Sequence, residues 1–216
     1  TAAEPKLLSA FFGLDNALPP ISAALHLQAP GKDGLPVVFS HEIDPDTLDP
    51  KHFVIESASG AVHTPLAATL RPATEEYELR TVLLIGEVGN STDDAPRTLR
   101  VTGPLRTRGG VSLAGLSIAV IPLEAGPMPV SAEWFAPDEA GYDLHSGGRG
   151  GDCPIESTGL VVRLIWTGGV RARNGAEPTP ADAQRFQLSF AGDDGSPATL
   201  VPTRFADLGA RDNVLA

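Results

Sequence analysis

The 216-residue chain has a single cysteine, Cys153, and so forms no internal disulfide, which leaves its redox compartment open. No segment approaches the roughly 18 consecutive apolar residues that a membrane-spanning helix needs. Positive charge is scarce: 16 Lys and Arg stand against 27 Asp and Glu, a formal net charge of −11. Nucleic-acid backbones and anionic membrane surfaces are held by clustered Lys and Arg, so this balance argues against both as partners. Of the basic residues lysine is rarest, with Lys6, Lys32 and Lys51 the only ones. Aromatic residues make up 6 %, so each Phe or Trp is a candidate core anchor. Sustained helical periodicity is missing after residue 20, which excludes doubly wound and barrel α/β folds.

What is present points to strands. Apolar residues at 42 % suffice for a packed core, and 23 Gly with 20 Pro punctuate the chain at short intervals. Residues 5–17 place Leu7, Leu8, Phe11, Phe12 and Leu14 at helical spacing, predicting a short helix or an extended arm. Pro19 and Pro20 end that segment. A weak strand is expected at 21–28 and stronger ones at 35–40 and 53–57, where Phe53, Ile55 and Ser57 share one face. Ser59-Gly60 turns the chain, and 61–70 runs back with a break at Pro65. Residues 77–85 become wholly apolar, as in a strand buried on both faces. Further strands are expected at 97–102, 116–123, 130–135, 159–166, 186–190, 198–201 and 213–216. One helical turn is expected at 181–185.

Gly126-Pro127 is the best internal boundary. It divides the chain into an N-terminal arm (1–18), a first β-sandwich (19–126) and a second sandwich-like module (127–216). The halves echo one another: Asp49, Phe53 and Ile55 before Gly60 match Asp182, Phe186 and Leu188 before Gly195. The fold class that follows is all-β, an Ig-like antiparallel β-sandwich, with two similar modules in tandem. One larger sandwich built from both halves is the rival arrangement. The ends carry two more expectations. Thr1-Ala2-Ala3-Glu4-Pro5 reads as the start left by signal-peptide cleavage or as an internal boundary. The apolar ending Asn213-Val214-Leu215-Ala216 predicts further chain, in which a cysteine could pair with Cys153.

Three elements in the first half carry a family resemblance: Val37-Val38-Phe39-Ser40, the loop Ile43-Asp44-Pro45-Asp46-Thr47-Leu48, and Phe53-Val54-Ile55 followed by Gly60. Over about residues 35–65 the chain resembles bacterial immunoglobulin-like domains of cell-surface and S-layer proteins. It departs from them at residues 76–82, which lack the family's Leu-x-x-Gly-Thr-x-Tyr strand. The resemblance implies a periplasmic or secreted protein acting as a spacer, an adhesive module or a carbohydrate-contact module. It transfers no catalytic residues.

Candidate sites lie in loops. Asp44, Asp46 and Asp49 offer three carboxylates to a hard cation such as calcium, although the EF-hand pattern is absent. The competing reading makes Asp44 and Asp49 turn caps. Asp207, Asp212 and Asn213 form a similar group, and Asp193-Asp194-Gly195 reads as a hairpin turn. His41, His52 and His63 recur every 11 residues, and with Glu42 they would suit zinc or copper if the hairpin register aligned them. Surface histidines are the plainer reading, and no cofactor is expected. His145, Arg149 and Cys153 occupy a glycine-rich loop that fits neither a Walker loop nor a dinucleotide fingerprint, and reads instead as a mobile or ligand-contacting loop. Trp134 and Trp166 end strands, where they would stack on a sugar or fill a core. Two functional classes follow. The first is an exported non-enzymatic module for structure, adhesion or binding of a carbohydrate, small molecule or protein. The second is a metal-dependent or hydrolytic enzyme using the His- and Asp-rich loops of the first half.

Overall fold

In the computed structural model the described residues are 4–74, 78–139, 153, 155–172, 175–176, 178–192, 195–206 and 212–215. The chain forms two compact units: Thr1–Val130 with Trp166–Gly168, and Ser131–Ile165 with Gly169–Ala216.

The first unit is an antiparallel β-sandwich. Its strands are β1 (Leu7–Ala10), β2 (Asp33–Phe39), β3 (Phe53–Ser57), β4 (Val62–His63), β5 (Ala67–Thr69), β6 (Thr81–Gly86), β7 (Pro96–Val101) and β8 (Ser117–Ala119). They form two four-stranded sheets, ordered β1-β2-β6-β5 and β4-β3-β7-β8. Period-two alternation decides what lies between them. Leu35, Val37 and Phe39 of β2 and Val82 and Leu84 of β6 meet Phe53 and Ile55 of β3 and Leu99 and Val101 of β7 in one buried cluster. Phe53, Ile55 and Ser57 are buried and Val54 and Glu56 half-buried, the alternation expected for that strand.

Of the two readings of residues 5–17 the extended one forms, since Leu7–Ala10 is a strand hydrogen-bonded to β2. The helical spacing there is also met by an extended chain that puts Ala10 and Phe12 into the core. Residues 21–28 are not a strand. Pro20–Ala24 is a 3₁₀ turn, started by Pro20 and tied by the Ser22 hydroxyl donating to the Pro19 carbonyl. Proline's fixed φ opens such a turn and removes a ladder donor, and Ile21 and Leu27 stay largely exposed. In 61–70 the expected break at Pro65 is present. The chain leaves one sheet after β4, passes Pro65 and enters the other as β5, so the break is a sheet switch.

The apolar end of β6 has a tertiary explanation. Val82 and Leu84 face the sandwich interior, while Ile85 packs on the opposite side against Leu18 and Ala29 of the N-terminal segment. Both faces are covered, so both parities are apolar.

In the second unit the described strands are β9 (Pro129–Phe135), β10 (Val161–Trp166), β11 (Leu188–Ala191), β12 (Pro197–Leu200) and β13 (Val214–Leu215). The division between units falls within β9 and at the last residue of β10. A three-stranded sheet runs β13-β10-β9, and β11 and β12 make a separate hairpin. Both copies of the Asp-x-x-x-Phe echo sit at a 3₁₀ turn that leads toward a strand: Pro50–His52 before β3, and Pro180–Arg185 before β11. Phe53 is fully buried, whereas Phe186 packs edge-to-face on Phe205 with ring centres 5.7 Å apart.

Candidate functional site

At one end of the first unit the loops are pinned by carboxylates. Asp33, fully buried at the start of β2, accepts from the Asn16 amide at 2.8 Å and the Val88 amide at 2.8 Å. Burial pushes its carboxyl above the ordinary value, against the lowering pull of those amides. Asp15 accepts the Ser91 hydroxyl at 2.6 Å and the Ser91 amide at 2.8 Å, and the hydroxyl is the main reason its carboxyl lies low. Asp94 accepts the Ser59 amide at 2.7 Å and the Ser57 hydroxyl at 2.9 Å. Its carboxyl is also lowered, chiefly by that amide. Asp15 and Asp94 thus tie the loop between β6 and β7 to the N-terminal segment and to the β3–β4 turn.

These depressed groups set an acid dependence. A carboxylate whose folded pKa is lowered contributes stability above its unfolded pKa, and that contribution is lost as pH falls through the folded value. Asp94→Asn is therefore expected to be less stable than wild type at pH 7. The gap should narrow below about pH 4, where the unfolded carboxylate protonates. Urea midpoints of both proteins at neutral and acid pH check this; a gap that stays constant would remove Asp94 ionisation as the cause.

At the opposite end lie the metal candidates. Asp44 accepts the Asp46 amide at 3.1 Å and Asp49 accepts the Lys51 amide at 2.8 Å, each capping a 3₁₀ turn. Asp46 is exposed. His41 contacts the Ser40 hydroxyl through Nδ1 at 2.9 Å, and Glu42 pairs with Arg108 at 3.4 Å. The His52 ring donates from Nδ1 to the Thr47 carbonyl at 3.1 Å and lies against Gly103, where a Cβ would be 2.1 Å from its Cδ2. The expected alignment of His52 with His63 does not form. The β3–β4 register sets His63 opposite Ile55, three residues further along β3 than His52. Among the described residues, no three His, Cys, Asp or Glu side chains gather closely enough to hold a metal ion.

In the second unit Trp134 is 75 % exposed on β9, open to stacking, while Trp166 is half-buried at the end of β10. His145, Arg149, Asp193, Asp194 and Asp207 lie outside the described residues. Asp212 accepts the Val214 amide at 2.9 Å and leads the chain into β13. One buried group escaped the sequence reading. Arg163 is 2 % exposed on β10, lies 4.6 Å from the centre of the Phe135 ring and pairs with Glu133 at 3.4 Å. An Arg in the alternating run Val161-x-Arg163-x-Ile165 was the available signal, since its parity is that of buried neighbours.

The second unit also holds a cavity of about 720 Å³. Its walls include Val162 and Leu164 of β10, Leu215 of β13, Leu188 of β11, Leu200 of β12, and Phe205. No sequence motif announces it, because its walls come from segments far apart in the chain.

Among the described residues the architecture is all-β, built of antiparallel sheets with almost no helix. No helix among the described residues is long and apolar enough to cross a membrane. No family model and no curated protein matches the sequence. Among solved structures, the chain is similar to the N-terminal part of the bacterial S-layer protein SbsC, at 13 % identity and a TM-score of 0.37. That alignment covers 100 % of this chain and 44 % of the other, so the chain spans less than half of the protein it matches.

Proposed function

We propose that the chain is a non-enzymatic structural module of an exported protein, at the cell surface or in the periplasm, and that its first unit is a load-bearing spacer. The observation that carries this reading is the pairing of that unit's first and last segments. Phe11 and Ile121 form a parallel bridge. The Phe12 amide donates to the Ile121 carbonyl at 2.9 Å, and the Ile121 amide donates to the Ala10 carbonyl at 2.8 Å. Parallel end segments leave the unit in opposite directions along the strand axis. Tension applied through them loads those hydrogen bonds together, in shear. An antiparallel end pair would open one bond at a time. The carboxylate clamps at Asp15, Asp33 and Asp94 support the same reading, since they hold connecting loops that tension would otherwise draw out.

Single-molecule stretching of the full chain tests it, with Cys153→Ser as background and cysteine handles in place of the exposed Lys6 and Glu124. Forced unfolding reports the barrier along the pulled direction. This pair is expected to need several-fold more force than handles at Lys6 and His41, which unzip β1 from β2. Equal forces in the two geometries would remove the spacer role.

A further inference from the structure

The loop between β6 and β7 carries the triplet Asn90-Ser91-Thr92, an Asn two residues before a threonine hydroxyl with no Pro between them. The chain's other asparagines, Asn16, Asn174 and Asn213, are followed two residues on by Leu18, Ala176 and Leu215. Such a triplet is the acceptor sequence for carbohydrate on an asparagine amide, and it belongs on a surface loop of an exported chain.

Here it lies on one. Ser91, Thr92 and Asp93 are exposed and Asn90 is half-buried. The loop is held in one shape by hydrogen bonds. The Asn90 backbone amide donates to the Asp94 carbonyl at 3.1 Å. The Asn90 side-chain Oδ1 accepts the amides of Thr92 at 3.1 Å, Asp93 at 2.6 Å and Asp94 at 3.3 Å. The Thr92 hydroxyl donates to the same oxygen at 2.9 Å. Asp15 accepts the amide and hydroxyl of Ser91, which ties the middle of the triplet to the N-terminal segment.

These donors decide which end of the Asn90 amide is which. An NH2 group cannot accept from a backbone N–H, so the atom inside the turn is the oxygen. The nitrogen faces away from those donors, and among the described residues Nδ2 donates to no acceptor. The loop thus presents an amide nitrogen with both protons uncommitted and a threonine hydroxyl on its partner oxygen.

We propose that Asn90 is an N-glycosylation site. The donor is a sugar chain joined through its C1 to a lipid diphosphate, the co-substrate of an oligosaccharyltransferase on the export side of the membrane. Nδ2 attacks C1, and the C1–O bond breaks with its electron pair leaving on the diphosphate. Nδ2 gives up one proton, so a C1–N bond replaces a C1–O bond without oxidation or reduction. The site rests on the exported reading, because transferase and donor meet a chain during export; it is independent of load bearing.

The test uses protein from the cells that make it, with exported and cytoplasmic material separated before digestion by trypsin. Cleavage after Arg80 and Arg97 releases residues 81–97, a peptide whose one Asn is Asn90. From exported protein this peptide is expected to carry added hexose or N-acetylhexosamine mass. An amidase specific for N-linked sugar is expected to remove that mass and leave an aspartate at the position. Thr92→Ala is expected to abolish the added mass, and Thr92→Ser to keep it. Asn90→Asp retains an acceptor oxygen for the three amides and lacks Nδ2, so it should match the urea midpoint of the unglycosylated wild type and carry no sugar. An unmodified 81–97 peptide from exported protein overturns the site, as does sugar that survives Thr92→Ala. Protein found only in the cytoplasm overturns the exported reading, and the site with it.

Discussion

Replacing Phe53 by Ala is expected to destabilise the first unit by about 3–5 kcal/mol, the usual cost of emptying a buried Phe site. Phe53 opens β3 opposite Val101 of β7 and is 0 % exposed, with Leu35, Phe39, Ile55 and Leu99 in the same cluster. These neighbours belong to both sheets, so the void would lie between two layers whose backbone ladders keep them from closing on it. Domain stabilities are typically about 5–15 kcal/mol, so this one change would remove a large part of the total. The control is Val54→Ala, one residue along on the other, half-buried face, expected to cost about 1 kcal/mol. Hydrogen exchange of the β3 and β7 amides measures the difference within this unit alone. Similar losses for the two variants would show that the sandwich interior does not lie on the Phe53 side.

Asp33→Ala is expected to cost about 1–3 kcal/mol, because it strips the acceptor from the buried Val88 amide, and a buried donor left unpaired costs about that much, whereas the more open Asn16 amide can turn to water. The loss would loosen both the N-terminal segment and the exit from β6. Asp33→Asn keeps one acceptor and should fall between wild type and Asp33→Ala. Its pH dependence separates it from the Asp94 clamp. Burial raises the Asp33 carboxyl, so its linked stability is full below the unfolded pKa and is lost as pH rises through the folded value. The advantage of wild type over Asp33→Asn should therefore widen on acidification, whereas that over Asp94→Asn narrows. Urea titrations across pH 3–7, a window of roughly carboxylate range, distinguish the two slopes. Parallel slopes would mean that ionisation at Asp33 has no part in its role.

Much of the fold was legible residue by residue. Alternation across 53–57 gives the buried face of β3, and Gly60, with φ of 83°, turns the chain where Ser59-Gly60 predicted. Asp44 and Asp49 act as caps because their side chains reach amides two residues on, a purely local bond. Where local evidence allowed two states, it did not choose between them. Leu7, Leu8, Phe11 and Phe12 fit a helix, but β2 supplies ladder partners for this segment and the extended form wins. The histidine set turned on the same limit: a spacing of 11 says nothing about register, and the register sets His63 opposite Ile55.

From its sequence alone this chain is an all-β protein with a formal net charge of −11, because strand period, turn chemistry and charge are properties of neighbouring residues. Tertiary structure decided the parallel meeting of Phe11 with Ile121, the covering of Ile85 by Leu18 and Ala29, and the walls of the cavity in the second unit. Each of these joins segments far apart in the chain, and their association depends on which surfaces remain uncovered once the local elements have formed.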